Sequence, residues 1–234
     1  MAFVRSKAVC QQHINKLSFG VLAWVAMLLM GCDSKLKSTE TLPFYNTADF
    51  TAEWITPDEN RYKTIHTIRS FAMQDQLGHV FTSDSLKGKV YVANFFFTTC
   101  PSICPKMVSN LAVLQHLFAT SPELELVSFS VMPWVDSVGR LKEYGKSHAV
   151  NPAKWHLLTG DREKIYALGR TAYFAEKGQG LLKDSTEFLH TESMLLIDKK
   201  ARIRGIYNAT QPDDITRITD DINILLNESE SSYQ

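Results

Sequence analysis

Two cysteines, Cys100 and Cys104, stand with three residues between them in the stretch FFFTTCPSICPKM (95–107), and each is followed directly by proline. Thiols held this close have three chemical uses: reversible disulfide exchange, coordination of a soft cation such as Cu(I), or a Zn²⁺ site. A static disulfide is the weaker use. Closing so short a ring restrains few unfolded conformations and stabilises less than the ~3 kcal/mol of a loop of roughly 15 residues. Proline disfavours helical geometry in the residue before it, so the sequence predicts a helix that opens with Pro105 and leaves both thiols in the loop ahead. At that position the unpaired N–H groups and the macrodipole favour thiolate over thiol, which predicts a lowered pKa for both.

Two sulfurs seldom complete a metal site, so a third donor is expected. Beyond the amino-terminal segment the histidines are His66, His79, His116, His148, His156 and His190. His116 falls in a helical run, His148 ends a polar helix, His66 and His79 flank a hairpin, and His156 sits in a short strand beside Trp155. For each of these a structural role is the better reading. His190 differs: it ends the long loop EKGQGLLKDSTEFL (176–189) and leads into the strand MLLID. In a sheet where that strand neighbours VYVANFFF, the loop feeding it passes close to the cysteines, although spacing alone does not choose it.

The elements that must hold these groups follow from periodicity. VYVANFFF (90–97) is apolar apart from Asn94 and rich in β-branched and aromatic residues, as in a strand covered on both faces. After the cysteines, KMVSNLAVLQHLF places Met107, Leu111, Leu114 and Phe118 at helical spacing. Upstream, TIRSFAMQ and HVFTS around a turn at Asp75 to Gly78 predict a β-hairpin. Downstream come the strand LELVSFSV, the helix SVGRLKEYGKSH, the strand WHLLT and the helix REKIYALGRTAYFA. A second hairpin, MLLID and RIRGIY around Lys199 to Ala201, precedes a last helix opened by Pro212 and Asp213. Alternating strands and helices need parallel neighbours and the hairpins antiparallel ones, so the fold class is α/β, a layered sandwich on a mixed sheet.

The first residues belong to no fold. Arg5, Lys7 and Lys16 precede the uncharged run LSFGVLAWVAMLLMGC, whose apolar core from Leu17 to Met30 covers 14 residues. A spanning helix takes ~20, so the segment reads as a signal peptide over residues 1–31. Its end, Leu29-Met30-Gly31-Cys32, resembles the lipobox of bacterial lipoproteins. The resemblance implies cleavage before Cys32, lipid on its thiol, and a domain held at a membrane outside the cytoplasm. Cleavage leaves 22 basic against 25 acidic residues, a net charge of −3. With no basic excess, nucleic acid is not an expected partner. Cys10 leaves with the signal and Cys32 carries lipid, so Cys100 and Cys104 are the only thiols left. Residues 32–60 are polar and interrupted by Pro43 and Pro57, which predicts a membrane-proximal tether that begins to order near Phe44 to Trp54, with the domain proper at 61–234.

FTTCPSICP, together with SFSVMPWVD, WHLLTGD and HTESMLLID, resembles the Sco/SenC family across about residues 65 to 226. The resemblance implies a thioredoxin-like three-layer sandwich with an N-terminal β-hairpin, and copper, as Cu(I) with Cu(II) left open, on Cys100, Cys104 and His190. It further implies a metallochaperone for the binuclear copper site of respiratory cytochrome c oxidase. Its partners would be the copper-site subunit of the oxidase and a protein that donates copper or reduces the thiols. Two positions depart from the family pattern: Leu189 stands where Asp often precedes the ligand histidine, and Val131-Met132-Pro133-Trp134-Val135-Asp136 keeps the second acid of V-D-P-x-x-D but has methionine at the first. The alternative is a thiol-disulfide oxidoreductase that reduces a client copper site, with Cys100 attacking and Cys104 resolving, or the reverse. A thiol peroxidase fits less well, since Ala93 and Phe97 occupy the positions where Pro and Thr are needed.

Overall fold

The computed structural model describes residues 41–175 and 191–228. The cysteine-leading run forms β5 (Val90–Phe96), in which every residue is buried. It is the middle of a five-stranded sheet with β6 (Leu124–Ser130), β7 (Trp155–Leu158), β8 (Ser193–Ile197) and β9 (Ile203–Asn208), in the order β7-β6-β5-β8-β9. The β5–β6 and β6–β7 pairs are parallel; β5–β8 and β8–β9 are antiparallel. The mixed sheet expected from alternating strands and terminal hairpins is therefore present.

Side chains alternate across β5, and each face has its own cover. Val90, Val92 and Phe96 face one layer with α1 (Cys104–Leu117), α2 (Val138–Ser147) and α4 (Pro212–Asn227), through Met107, Leu111, Leu141, Ile218 and Ile222. Tyr91, Ala93 and Phe95 face the other, with α3 (Arg162–Thr171) and the hairpin of β3 (Ala72–Gln74) and β4 (Val80–Thr82), through Ile165, Leu168, Met73 and Phe81. The result is a thioredoxin-like three-layer sandwich carrying an N-terminal hairpin. Local chemistry sets the joints. Ser137 and Asp161 cap α2 and α3 by accepting from the N–H groups of Arg140 and Lys164. The β3–β4 turn is held by Asp75 Oδ1, which accepts from the N–H of Leu77 and of His79, both at 2.8 Å, with Gly78 at φ +84°.

The outer edge of β7 is closed by a side chain. Gln76, 3% exposed, donates to the Trp155 carbonyl at 2.7 Å and accepts from the Leu157 N–H at 2.9 Å, so its amide pairs like a strand residue. At the opposite side of the sheet, a buried charge cluster fastens the start of the described chain. Asp198 accepts from Arg202 Nε at 2.8 Å and Arg204 Nη1 at 3.2 Å. Arg204 also donates to the carbonyls of Leu42 and Pro43 and pairs with Glu228. Phe44, on β1 (Phe44–Tyr45), lies 4.2 Å beneath the Arg204 guanidinium, and β1 pairs antiparallel with β2 (Ala52–Glu53). The stretch from about 41 to 60, expected to begin to order near Phe44 to Trp54, thus carries its own hairpin and buried contacts. Among the described residues no helix is long and apolar enough to cross a membrane.

Candidate metal centre

β5 delivers the chain into the loop 97–103, and Cys100 lies in that loop with its N–H bonded to the Phe97 carbonyl at 3.3 Å. Cys104 does not lie in the loop, as proline-neighbour sterics suggested. It is the first residue of α1, preceded by Ile103 in helical conformation (φ −86°, ψ −34°), with Pro105 inside the first turn. The pre-proline bias against helix is a preference, and here the buried packing of Cys104 against the sheet overrides it. Both thiols are free and buried, Cys100 at 9% exposure and Cys104 at 3%. The Cys104 N–H points at Cys100 Sγ, 3.5 Å away.

This arrangement makes the two sulfurs unlike. Burial pushes the Cys100 thiol up, but N–H groups of Cys104, Ser102 and Ile103 and the Cys104 side chain together outweigh it, leaving the pKa below the ordinary cysteine value. Cys104 goes the other way. Burial pushes it up to about 12, with Cys100 and the carboxylate of Asp136 adding to the rise against one backbone bond from Phe97. The expectation of two activated thiols is therefore corrected to one: the helix terminus serves Cys100, while Cys104 keeps its proton and hydrogen-bonds its neighbour. At pH 8 the thiolate fractions then differ enough that iodoacetamide should label Cys100 about a hundredfold faster than Cys104. Peptide mass mapping over time checks this, and equal rates would refute the asymmetry.

A feature that periodicity does not report holds the loop. Asp136, fully buried, accepts from the Thr98 N–H at 3.1 Å, the Thr98 hydroxyl at 2.5 Å and the Ser130 hydroxyl at 2.6 Å. Arg140 donates to the Thr98 hydroxyl at 2.7 Å and lies 3.8 Å from Asp136. Tyr144, half-buried, has its phenol pushed up by burial first and then by Cys104, Asp136 and Cys100, so it faces the same acidic groups. The sequence signal for this cluster was the retained acid of SFSVMPWVD; its partners are 38 and six residues away in the chain.

Five of the six candidate histidines lie in the described residues, and none joins the thiols. His66 bonds the Ala172 carbonyl at 2.7 Å and stacks on Phe174. His79 and His116 are exposed, His148 stacks on Tyr144, and His156 lies 3.5 Å from Glu125. Among the described residues no three His, Cys, Asp or Glu side chains form a metal cluster. His190 and Cys32 lie outside the described residues. The topology near His190 is nevertheless informative. β8 runs antiparallel to β5 with Met194 opposite Asn94, so the chain enters β8 at the same end of the sheet where β5 releases the cysteine loop.

A family model described as SCO1/SenC matches residues 59–227. The chain belongs to the SCO1/SenC family. Among solved structures it is similar to a SCO1/SenC family lipoprotein from Bacillus anthracis, with 27% identity, a TM-score of 0.61, and coverage of 74% of this chain and 100% of that one. It is similar to BsSco, described as a member of the Sco family of cytochrome c oxidase assembly proteins with a disulfide switch, at 26% identity, TM-score 0.59 and coverage of 70% and 95%. It also resembles ScoI of Arabidopsis thaliana, solved with copper bound, at 26% identity, TM-score 0.53 and coverage of 68% and 98%. Sco proteins are thus copper-binding proteins tied to cytochrome c oxidase assembly, and the thioredoxin-like fold described above is theirs.

Proposed function

We propose that this Sco protein holds Cu(I) on Cys100, Cys104 and His190 and passes it to the copper-site subunit of cytochrome c oxidase. Lipid on Cys32 holds it at a membrane with the domain outside the cytoplasm. The observation that carries the reading is the pair of free, buried thiols bonded through the Cys104 N–H to Cys100 Sγ at 3.5 Å. Cu(I) favours such a low-coordinate thiolate set completed by an imidazole, and ligand exchange between thiols lets the ion move on. Entry of β8 beside the cysteine loop supports His190 as the third donor. The copper-bound ScoI relative supports the metal, and the lipoprotein relative supports the anchor.

A soluble 33–234 fragment with Cys32 replaced is expected to take one copper per chain when both thiols are reduced. In competition with a Cu(I) chelator, His190→Ala should lose about tenfold in retention while its disulfide exchange is spared. An alanine variant that keeps copper as tightly as the parent would remove His190 from the set. A second reading is favoured by one observation: the thiols differ in exposure, Cys100 being the more open. That polarity suits reduction of a client disulfide, in which Cys100 attacks, Cys104 resolves, and two electrons and two protons pass to the client. Running the same two variants in a disulfide-reduction assay separates the readings.

A further inference from the structure

We infer that Met132 supplies a thioether donor to the Cu(I) held by Cys100 and Cys104, so that the described residues present three sulfurs to the ion. This rests on the copper reading above. The Sδ atom of Met132 lies 4.0 Å from the hydroxyl of Thr99, the residue that immediately precedes Cys100. The thioether thus sits against the neighbour of Cys100, one residue step of about 3.8 Å between Cα atoms away, and the three rotatable bonds of methionine let it adapt to a ligand held there.

The backbone beneath this side chain is fixed in register with the cysteine loop. The N–H of Val131 donates to the Phe96 carbonyl at 2.9 Å, joining the end of β6 to the end of β5. The Met132 N–H donates to Ser130 Oγ at 3.2 Å, and its carbonyl accepts from the N–H groups of Val135 and Asp136, both at 2.8 Å. Asp136 in turn grips Thr98, so the two loops are laced together on either side of the Thr99–Met132 contact. Among the described residues the one polar contact of the Met132 side chain is a hydroxyl on its thioether, a weak bond that a soft cation displaces with net gain.

Exposure separates Met132 from the other described methionines near the site. Met107 and Met194 are wholly buried among the layer of α1 and α4 and serve as packing. Met132 is half-buried, on the rim. Its chemistry also fits the ion. A carboxylate at this position would be a hard, charged oxygen donor; a thioether is soft and neutral, adds a third sulfur beside the proposed imidazole without adding charge, and favours Cu(I) over Cu(II).

The test uses the full-length chain in detergent micelles, labelled with ¹³C in its methionine methyl groups, the Met132 resonance being assigned from a Met132→Leu variant. On adding one equivalent of Cu(I), or of Ag(I) as a redox-inert probe, the Met132 methyl resonance should shift while those of Met73, Met107 and Met194 stay in place. Met132→Leu should lose about tenfold in Cu(I) retention against a chelator, with the apo unfolding midpoint unchanged because the swap conserves volume. An unmoved methyl resonance overturns the inference, whether or not retention falls, and so does a shift with retention intact. In either case a parent that still takes one Cu(I) leaves the copper reading standing. A parent that takes none overturns both.

Discussion

Asp198→Ala is expected to destabilise the folded domain by about 3–5 kcal/mol, the cost of breaking a buried ion cluster by removing one partner. Asp198 is 1% exposed, and the two guanidiniums it serves, Arg202 and Arg204, are 3% and 2% exposed. Arg204 keeps the carbonyls of Leu42 and Pro43 and the carboxylate of Glu228, whereas Arg202 loses the contacts at Nε and Nη2 that Asp198 supplies at 2.8 Å. The same carboxylate also accepts from the N–H groups of Lys200 and Arg202, so the β8–β9 turn loses its fastening as well. Urea unfolding monitored by circular dichroism reads the change, and Asp198→Asn, which retains an acceptor, should cost less than alanine. A loss below about 1 kcal/mol for alanine would mean that the cluster merely breaks even against solvation.

The second large effect falls on the site. Asp136→Ala strands the buried Ser130 hydroxyl and the N–H of Thr98, for a loss of about 3 kcal/mol. Its chemical consequence is separable from that loss. The Asp136 carboxylate is one of the charges that lift Cys104 to about 12, so removing it brings the Cys104 pKa down and raises its thiolate fraction at every pH below that value. Alkylation of Cys104 should therefore accelerate in Asp136→Asn, which keeps the shape but not the charge, as well as in Asp136→Ala. A purely structural carboxylate would leave the Cys104 rate in the asparagine variant where it is in the parent.

What was legible in the chain was whatever repeats at short range. The unbroken apolar run of β5, the turn at Asp75 to Gly78 and the helical spacing of Met107, Leu111 and Leu114 all lie where periodicity puts them. The two terminal hairpins and the alternation between them were sufficient for a mixed sheet. Less legible were features decided by contacts between distant segments. The start of α1 at Cys104, not Pro105, depends on packing beneath the helix. The inequality of the thiols depends on how deeply each is buried and on a carboxylate supplied by the segment after β6. Arg204 reaches Leu42 across 162 residues, a contact that no local pattern announces.

The glutamine amide seated along β7 has a bearing on assembly. A bare outer strand offers a row of peptide groups onto which another molecule can extend the sheet, the usual opening for strand swapping and fibre growth. Gln76 fills the Trp155 and Leu157 positions of that row, and the Gln74–Thr159 bridge takes the next. Visitors are thereby turned away from this flank of the sheet.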